Sequence, residues 1–146
     1  MKHRGFSLIE VLIAIFLVVL CAMIVVATMP IATASREKAD LMTRATGLAQ
    51  KQLEALRGAG YPNLVPSQLL SYGLIDSVTP VATNTFSFTN ADAAVFDNPA
   101  TILPNGAGRV RIEQLAIDLR RLTVEVSYND RGTTRTARLG TLIANL

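Results

Sequence analysis

Seventeen consecutive residues, "VLIAIFLVVLCAMIVVA" at positions 11–27, carry no polar side chain, and nothing else in the chain limits its fold so strongly. Widened to residues 6–29 the stretch has 24 residues, which as a helix is about 36 Å long. The hydrocarbon core of a bilayer is about 30 Å thick. The segment is therefore long enough to span, and it is apolar on every side rather than on one stripe. A buried core helix is the alternative reading. About 115 residues follow Pro30, enough for a small core of their own but too few to enclose a helix of that length. One residue breaks the pattern: Glu10, just before the uninterrupted run. A carboxylate at the centre of a membrane helix is unfavourable by roughly 2.5–3.5 kcal/mol, so its presence needs a reason.

Charge separates the first residues from the rest. The chain has 14 Lys and Arg against 11 Asp and Glu, for +3. Lys2 and Arg4 account for most of that excess, and beyond them the charges are balanced and interspersed. A nucleic-acid surface needs clustered cations with aromatic platforms, so no nucleic-acid partner is expected. The single cysteine, Cys21, lies inside the apolar run, so no internal disulfide can form. Long C-terminal domains translocate largely regardless of charge, so the short basic N-terminus is expected to stay in the cytoplasm. A secretory signal peptide is the competing reading, with "ATA" at residues 32–34 offering cleavage before Ser35. The apolar stretch exceeds the usual h-region of about 7–15 residues and contains Glu10, which ranks that reading second.

The segment "KHRGFSLIEVLIAIFLVV" (residues 2–19) resembles the N-terminus of type IV prepilins and of the pseudopilins of type II secretion. The resemblance implies a short basic leader cut between Gly5 and Phe6, with Phe6 becoming an N-methylated N-terminus. It also implies a glutamate four residues beyond the new terminus, here Glu10, and a long apolar helix. Partners follow from the same likeness: a prepilin peptidase that is also the N-methyltransferase, other pilins or pseudopilins, the inner-membrane assembly platform and the membrane itself. In filaments of this family Glu10 of one subunit is expected to pair with the Phe6 amine of a neighbour. Such an amine is positive near neutral pH, and removing either partner leaves a charge stranded among apolar helices. Positions four apart share a helix face, so an intrachain pair is also open. Another alternative is an interfacial carboxylate that turns back toward the headgroups.

Beyond Pro30, which removes a backbone donor and can kink a helix, the pattern becomes amphipathic. Leu41, Ala45, Leu48, Gln52 and Leu56 form a stripe with one polar member, widened by Ala49 and Leu53 to the breadth of a core-facing helix. Gly58 and Gly60 mark its end. Part of it, "GLAQKQLEALR" (residues 47–57), resembles minor pilins and I-type minor pseudopilins. Residues 61–108 are rich in Pro, Asn, Ser, Thr and Gly, with "QLLSYGLI" (68–75) expected as a helical turn and "TFSFT" (85–89) as a short strand. "LPNGAG" (103–108) reads as a turn, not a phosphate loop, because no strand, helix or lysine frames it. "RVRIE" (109–113) and "RLTVEVSY" (121–128) alternate as strands, the second placing Leu122, Val124, Val126 and Tyr128 on one face. "NDRG" (129–132) is read as a turn and "TTRTARLGTLIANL" as the returning strand. Residues 124–145 also resemble the C-termini of minor pilin proteins.

Catalytic chemistry finds little to work with. The only histidine, His3, lies in the expected leader, and the only thiol is in the apolar run. His-based triads, thiol nucleophiles and His-rich metal sites are excluded after cleavage. Asp92 and Asp97 share a loop but lack the dense oxygen spacing of a calcium site. Glu125 falls on the polar face of its strand, where a solvated or cross-strand-paired acid is expected. No enzyme activity, cofactor or metal is expected.

The expected architecture is α+β: a long N-terminal helix, membrane-spanning in its first half and amphipathic in its second, packed on a small antiparallel sheet. The segments are a leader at 1–5, a filament-core helix at 6–29, its continuation at 30–58 and a sheet domain with long loops at 59–146. The expected role is a type IV pilin-like subunit, minor in type, that moves from the inner membrane into an extracytoplasmic filament. A minor pseudopilin of type II secretion is the close alternative. A single-span anchored or secreted binding domain that never polymerises is the alternative of another class.

Overall fold

In a computed structural model, the structure of the chain describes residues 7–91 and 97–145. The helix α1 runs over Leu8–Ala59. Short helices α2 (Pro66–Ser71) and α3 (Pro99–Ile102) accompany four strands: β1 (Thr85–Ser87), β2 (Ala107–Ala116), β3 (Leu119–Asp130) and β4 (Thr133–Ala144). The strands form one antiparallel sheet in the order β1-β2-β3-β4. The α+β expectation holds. Two compact units meet in sequence at Ala39 and Asp40.

In the first unit α1 is made of residues with nothing to interrupt a helix until Pro30, and the helix continues across that proline. Two threonines in this unit turn their hydroxyls back onto the helix backbone: Thr28 donates to the Val25 carbonyl at 3.0 Å and Thr33 to Met29 at 3.4 Å. Such back-bonding satisfies a hydroxyl without any outside partner.

The second unit holds the core. Ala45, Leu48, Ala49 and Leu56 of α1 are buried with Val110 of β2, with Leu122, Val124, Val126 and Tyr128 of β3, and with Ala137 of β4. Leu41 and Leu53 are partly buried against them. The strand residues that meet the helix are those that alternation assigned to one face, because side chains two apart project to the same side of a pleated sheet. Gln52, the polar member of the helical stripe, donates through Nε2 to the Leu74 carbonyl at 2.5 Å, so its amide satisfies a loop carbonyl where the core ends. The helix stops at Gly60, whose φ of 80° suits glycine and whose N–H bonds the Arg57 carbonyl at 3.1 Å. Pro62 then sits in a single 3-10 turn over Tyr61–Asn63.

Several boundaries differ from the sequence reading. β2 extends beyond residues 109–113 at both ends, to Ala107 and Ala116. β3 continues through Asn129 and Asp130, leaving a two-residue turn in place of the four-residue one expected at 129–132. Arg131 and Gly132 both have positive φ, 51° and 87°, as a two-residue turn matched to the strand twist requires. Asn129 Oδ1 accepts from the Gly132 N–H at 2.7 Å and holds that turn closed.

The loop-rich middle is held by Asp76. Its carboxylate accepts from the Ser87 hydroxyl at 2.6 Å, the Thr89 N–H at 2.7 Å and the Asn90 N–H at 2.9 Å. At the far end of the β2–β3 hairpin, Arg120 donates to the Tyr61 and Leu64 carbonyls and lies 4.3 Å from the Tyr61 ring centre. The Tyr61 hydroxyl donates to the Ile117 carbonyl at 2.6 Å. These contacts join the turn after α1 to the hairpin tip.

Candidate assembly site

Glu10 lies in the first turn of α1. The Ser7 carbonyl accepts from the Glu10 N–H at 2.9 Å and from the Val11 N–H at 3.3 Å, which are the bonds that open the helix. An acid at this position complements the partial positive charge of the free N–H groups at a helix N-terminus. Sequence reasoning weighed Glu10 as a partner for an amine or as an interfacial carboxylate and overlooked Ser7. The signal was present: Ser7 and Glu10 have the S-x-x-E spacing of a helix start, in which the serine precedes the first turn and the glutamate closes it.

Gly5 and Phe6 lie outside the described residues, and so does Asp92. The expected pairing of Glu10 with the Phe6 amine thus involves a residue outside the described ones. What the structure adds is the setting of the acid. Every side chain of residues 8–29 is exposed, with Leu8 at 79 %, Phe16 at 63 % and Val26 at 70 %. Mean hydropathy reaches 3.2 over an 18-residue window of this helix, none of it buried within the chain. A soluble monomer rarely exposes a contiguous apolar patch beyond a few hundred Å², and here a whole helix is apolar on all sides. Its covering has to come from lipid or from other chains. Cys21 is exposed on the same segment.

Elsewhere the acids that might have marked chemistry have ordinary partners. Asp97 pairs with Lys51 at 2.8 Å, which occupies a carboxylate that sequence had weighed for a cation. Glu125 pairs with Arg138, directly opposite on β4, at 2.9 Å, the cross-strand arrangement anticipated for it. Glu113 is shared by Arg111 and Arg121 at 2.6 and 3.8 Å. Among the described residues no group of three or more His, Cys, Asp or Glu side chains could hold a metal. Of the "LPNGAG" segment, residues 103–106 form the turn before β2, and Ala107 and Gly108, expected as part of that turn, already belong to the strand. A Cβ on Gly106 would lie 2.0 Å from the Pro99 carbonyl oxygen, so close packing accounts for this glycine.

Residues 1–26 match the family model described as the prokaryotic N-terminal methylation motif, the signature of type IV pilins and pseudopilins. No curated protein and no solved structure matches the chain. With the apolar helix, the motif supports a membrane-anchored type IV pilin-like or pseudopilin protein. It implies processing by prepilin peptidase and assembly with other pilins. A protein of that kind is a structural subunit rather than an enzyme.

Proposed function

We propose that the chain is a minor type IV pilin, cut between Gly5 and Phe6, methylated on the Phe6 amine and assembled into a filament through residues 6–29. The observation that carries this reading is Glu10 in the first turn of a helix whose apolar residues 8–29 bury nothing within their own chain. In the membrane this helix stores the subunit, with its N-terminus on the cytoplasmic side of the inner membrane. During assembly it exchanges lipid for the apolar helices of neighbouring subunits. Both surroundings are apolar, so the transfer needs little hydrophobic driving force and depends on packing and polar registration. Glu10 supplies the registration: its carboxylate meets the Phe6 amine of a neighbour and sets the axial offset. Residues 30–58 continue the helix outward and residues 59–146 form the exposed domain. The minor assignment rests on the likeness of residues 47–57 and 124–145 to minor pilins. Residues 47–57 also support a minor pseudopilin of a type II secretion system, which uses the same Gly5, Phe6 and Glu10.

The test is mass spectrometry of the N-terminal peptide from native cells, followed by a Glu10→Ala exchange. The expected peptide begins with N-methylated Phe6. A peptide that starts at Ser35 means ordinary secretion, and an intact Met1 means a plain anchor; either result sinks the filament reading. Glu10→Ala should leave the membrane pool unchanged and cut incorporation into filaments by at least about tenfold, since it strands a neighbour's amine among apolar helices. Normal incorporation would remove the registration role.

A further inference from the structure

The two edges of the sheet are unlike. β1 has three residues and is closed at its start by a bridge from Ala82 to Thr85. β4 has twelve residues, contains no proline and pairs with β3 over its whole length without a register shift. The β2–β3 pairing, by contrast, shifts between Gln114 and Ala116. Proteins usually blunt a free edge by shortening it, kinking it, placing proline or charge on it, or covering it. Among the described residues no other strand or loop backbone bonds to β4 along its outer side.

The two-residue turn tells which backbone groups are free. Asp130 and Thr133 close it as a hydrogen-bonded pair, and such pairs recur at every second residue of an antiparallel ladder. Residues 133, 135, 137, 139, 141 and 143 therefore bond to β3. Thr136, Arg138, Gly140 and Leu142 aim their N–H and C=O groups away from the sheet. The same parity appears on the opposite side of β2, where the Gly108 carbonyl accepts from the Phe88 N–H at 3.0 Å and the Ile112 N–H donates to Asn84 at 2.9 Å.

The side chains then narrow the kind of strand that fits. The charges that guard β4 are drawn back from its edge: Arg135 to Asp130 at 2.6 Å and Arg138 to Glu125 at 2.9 Å. On the outer face one row across the sheet reads Arg109, Glu125, Arg138. The alternation of sign calls for a carboxylate beside Arg138. One pair further along, the rows end in Gly140 and then Leu142, which is 55 % exposed. On the inner face Leu139 and Ile143 are only partly buried, which leaves the rim of the core uncovered. A second copy of β4 would bring no carboxylate to Arg138, because the strand carries two arginines and no acid, so it leaves the charge pattern of that row incomplete.

We propose that residues 136–143 of β4 are a docking edge for an extended strand of a different protein, one with apolar residues in alternation and a carboxylate that faces Arg138. The main-chain groups of Thr136, Arg138, Gly140 and Leu142 supply the bonding, as in recognition by strand addition. The Arg138 guanidinium, shared between Glu125 and the incoming acid, sets the register. The inference stands apart from the filament reading and requires neither cleavage nor Glu10.

The test uses the full chain in detergent micelles, with amide exchange followed by NMR. The probe is a short synthetic peptide of alternating valine and threonine with one central glutamate. Without peptide, the amides of Thr136, Arg138, Gly140 and Leu142 should exchange fast while those of Ala137, Leu139, Thr141 and Ile143 exchange slowly. Peptide should slow the first set and leave the second unchanged. A lysine in place of the peptide's glutamate should weaken binding about fivefold. Methylating the peptide nitrogens that face β4 should weaken it at least about tenfold, because each bond lost leaves a partner unsatisfied. On the protein side, Gly140→Pro removes one outward donor, keeps the bonds to β3 and should abolish protection. Three results overturn the proposal: outward amides that stay fast at millimolar peptide, equal protection by the lysine peptide, or slow exchange without peptide. Slow exchange that appears only at high protein concentration would make a second copy the occupant.

Discussion

One helix passes through two regimes, and the contrast explains how the chain is used. Residues 8–29 and the segment from Asp40 to Ala59 share the same backbone conformation. In the second, Ala45, Ala49 and Leu56 are 0 % exposed because the sheet covers them, while Arg44 and Lys51 face outward. In the first, every side chain is exposed and nearly all are apolar. Helix formation satisfies the backbone equally in both. Burial differs: the chain provides it for the second segment and provides none for the first. A segment left bare in this way is completed by its surroundings.

The strongest challenge to that contrast is removal of residues 1–29. The remainder should be soluble without detergent and unfold cooperatively on heating, while the full chain should stay with detergent or membrane. Aggregation of the shortened chain would show that the second regime depends on the first. Next comes a pair of matched truncations. Leu56→Ala should lower the stability of the domain by about 2–5 kcal/mol in urea unfolding, the range for a fully buried leucine. Leu17→Ala, on the bare segment, should change it by less than about 0.5 kcal/mol. Equal effects would mean that the apolar helix is buried after all. A smaller loss, about 1–3 kcal/mol, is expected for Asp76→Ala, which strips partners from two N–H groups and one hydroxyl. Faster exchange of the Thr89 and Asn90 amides, with the α1 amides unchanged, would assign that loss to the loop. The smallest effect belongs to Arg44→Ala. Its 2.9 Å pair with Asp40 is one turn along the helix and more than half exposed, so the change should stay below about 0.5 kcal/mol.

Legibility followed the range of the interactions. The stripe from Leu41 to Leu56 and the alternation from Leu122 to Tyr128 were readable because each pattern lies within one element and repeats with its own period. Gln52 looked like a flaw in the stripe, since its partner, the Leu74 carbonyl, is 22 residues away. Asp76 gave no signal at all, because its partners Ser87, Thr89 and Asn90 lie 11, 13 and 14 residues away in an irregular segment with no period to reveal them. At the candidate site Glu10 was legible as an acid beside an apolar run, and Ser7 was visible as part of a capping pattern that went unused.

The sequence alone determined which segment has to be covered from outside, because an uninterrupted apolar run has no amphipathic solution in a domain of this size. It determined the helix stripe and the strand faces for the same kind of reason: local periodicity sorts side chains before any contact forms. Only the tertiary structure decided the turn of two residues at Arg131 and Gly132, the staple at Asp76 and the free outer side of β4. The turn and the free side follow from the register in which β3 and β4 pair, and the staple from partners 11 to 14 residues apart; no local pattern encodes either.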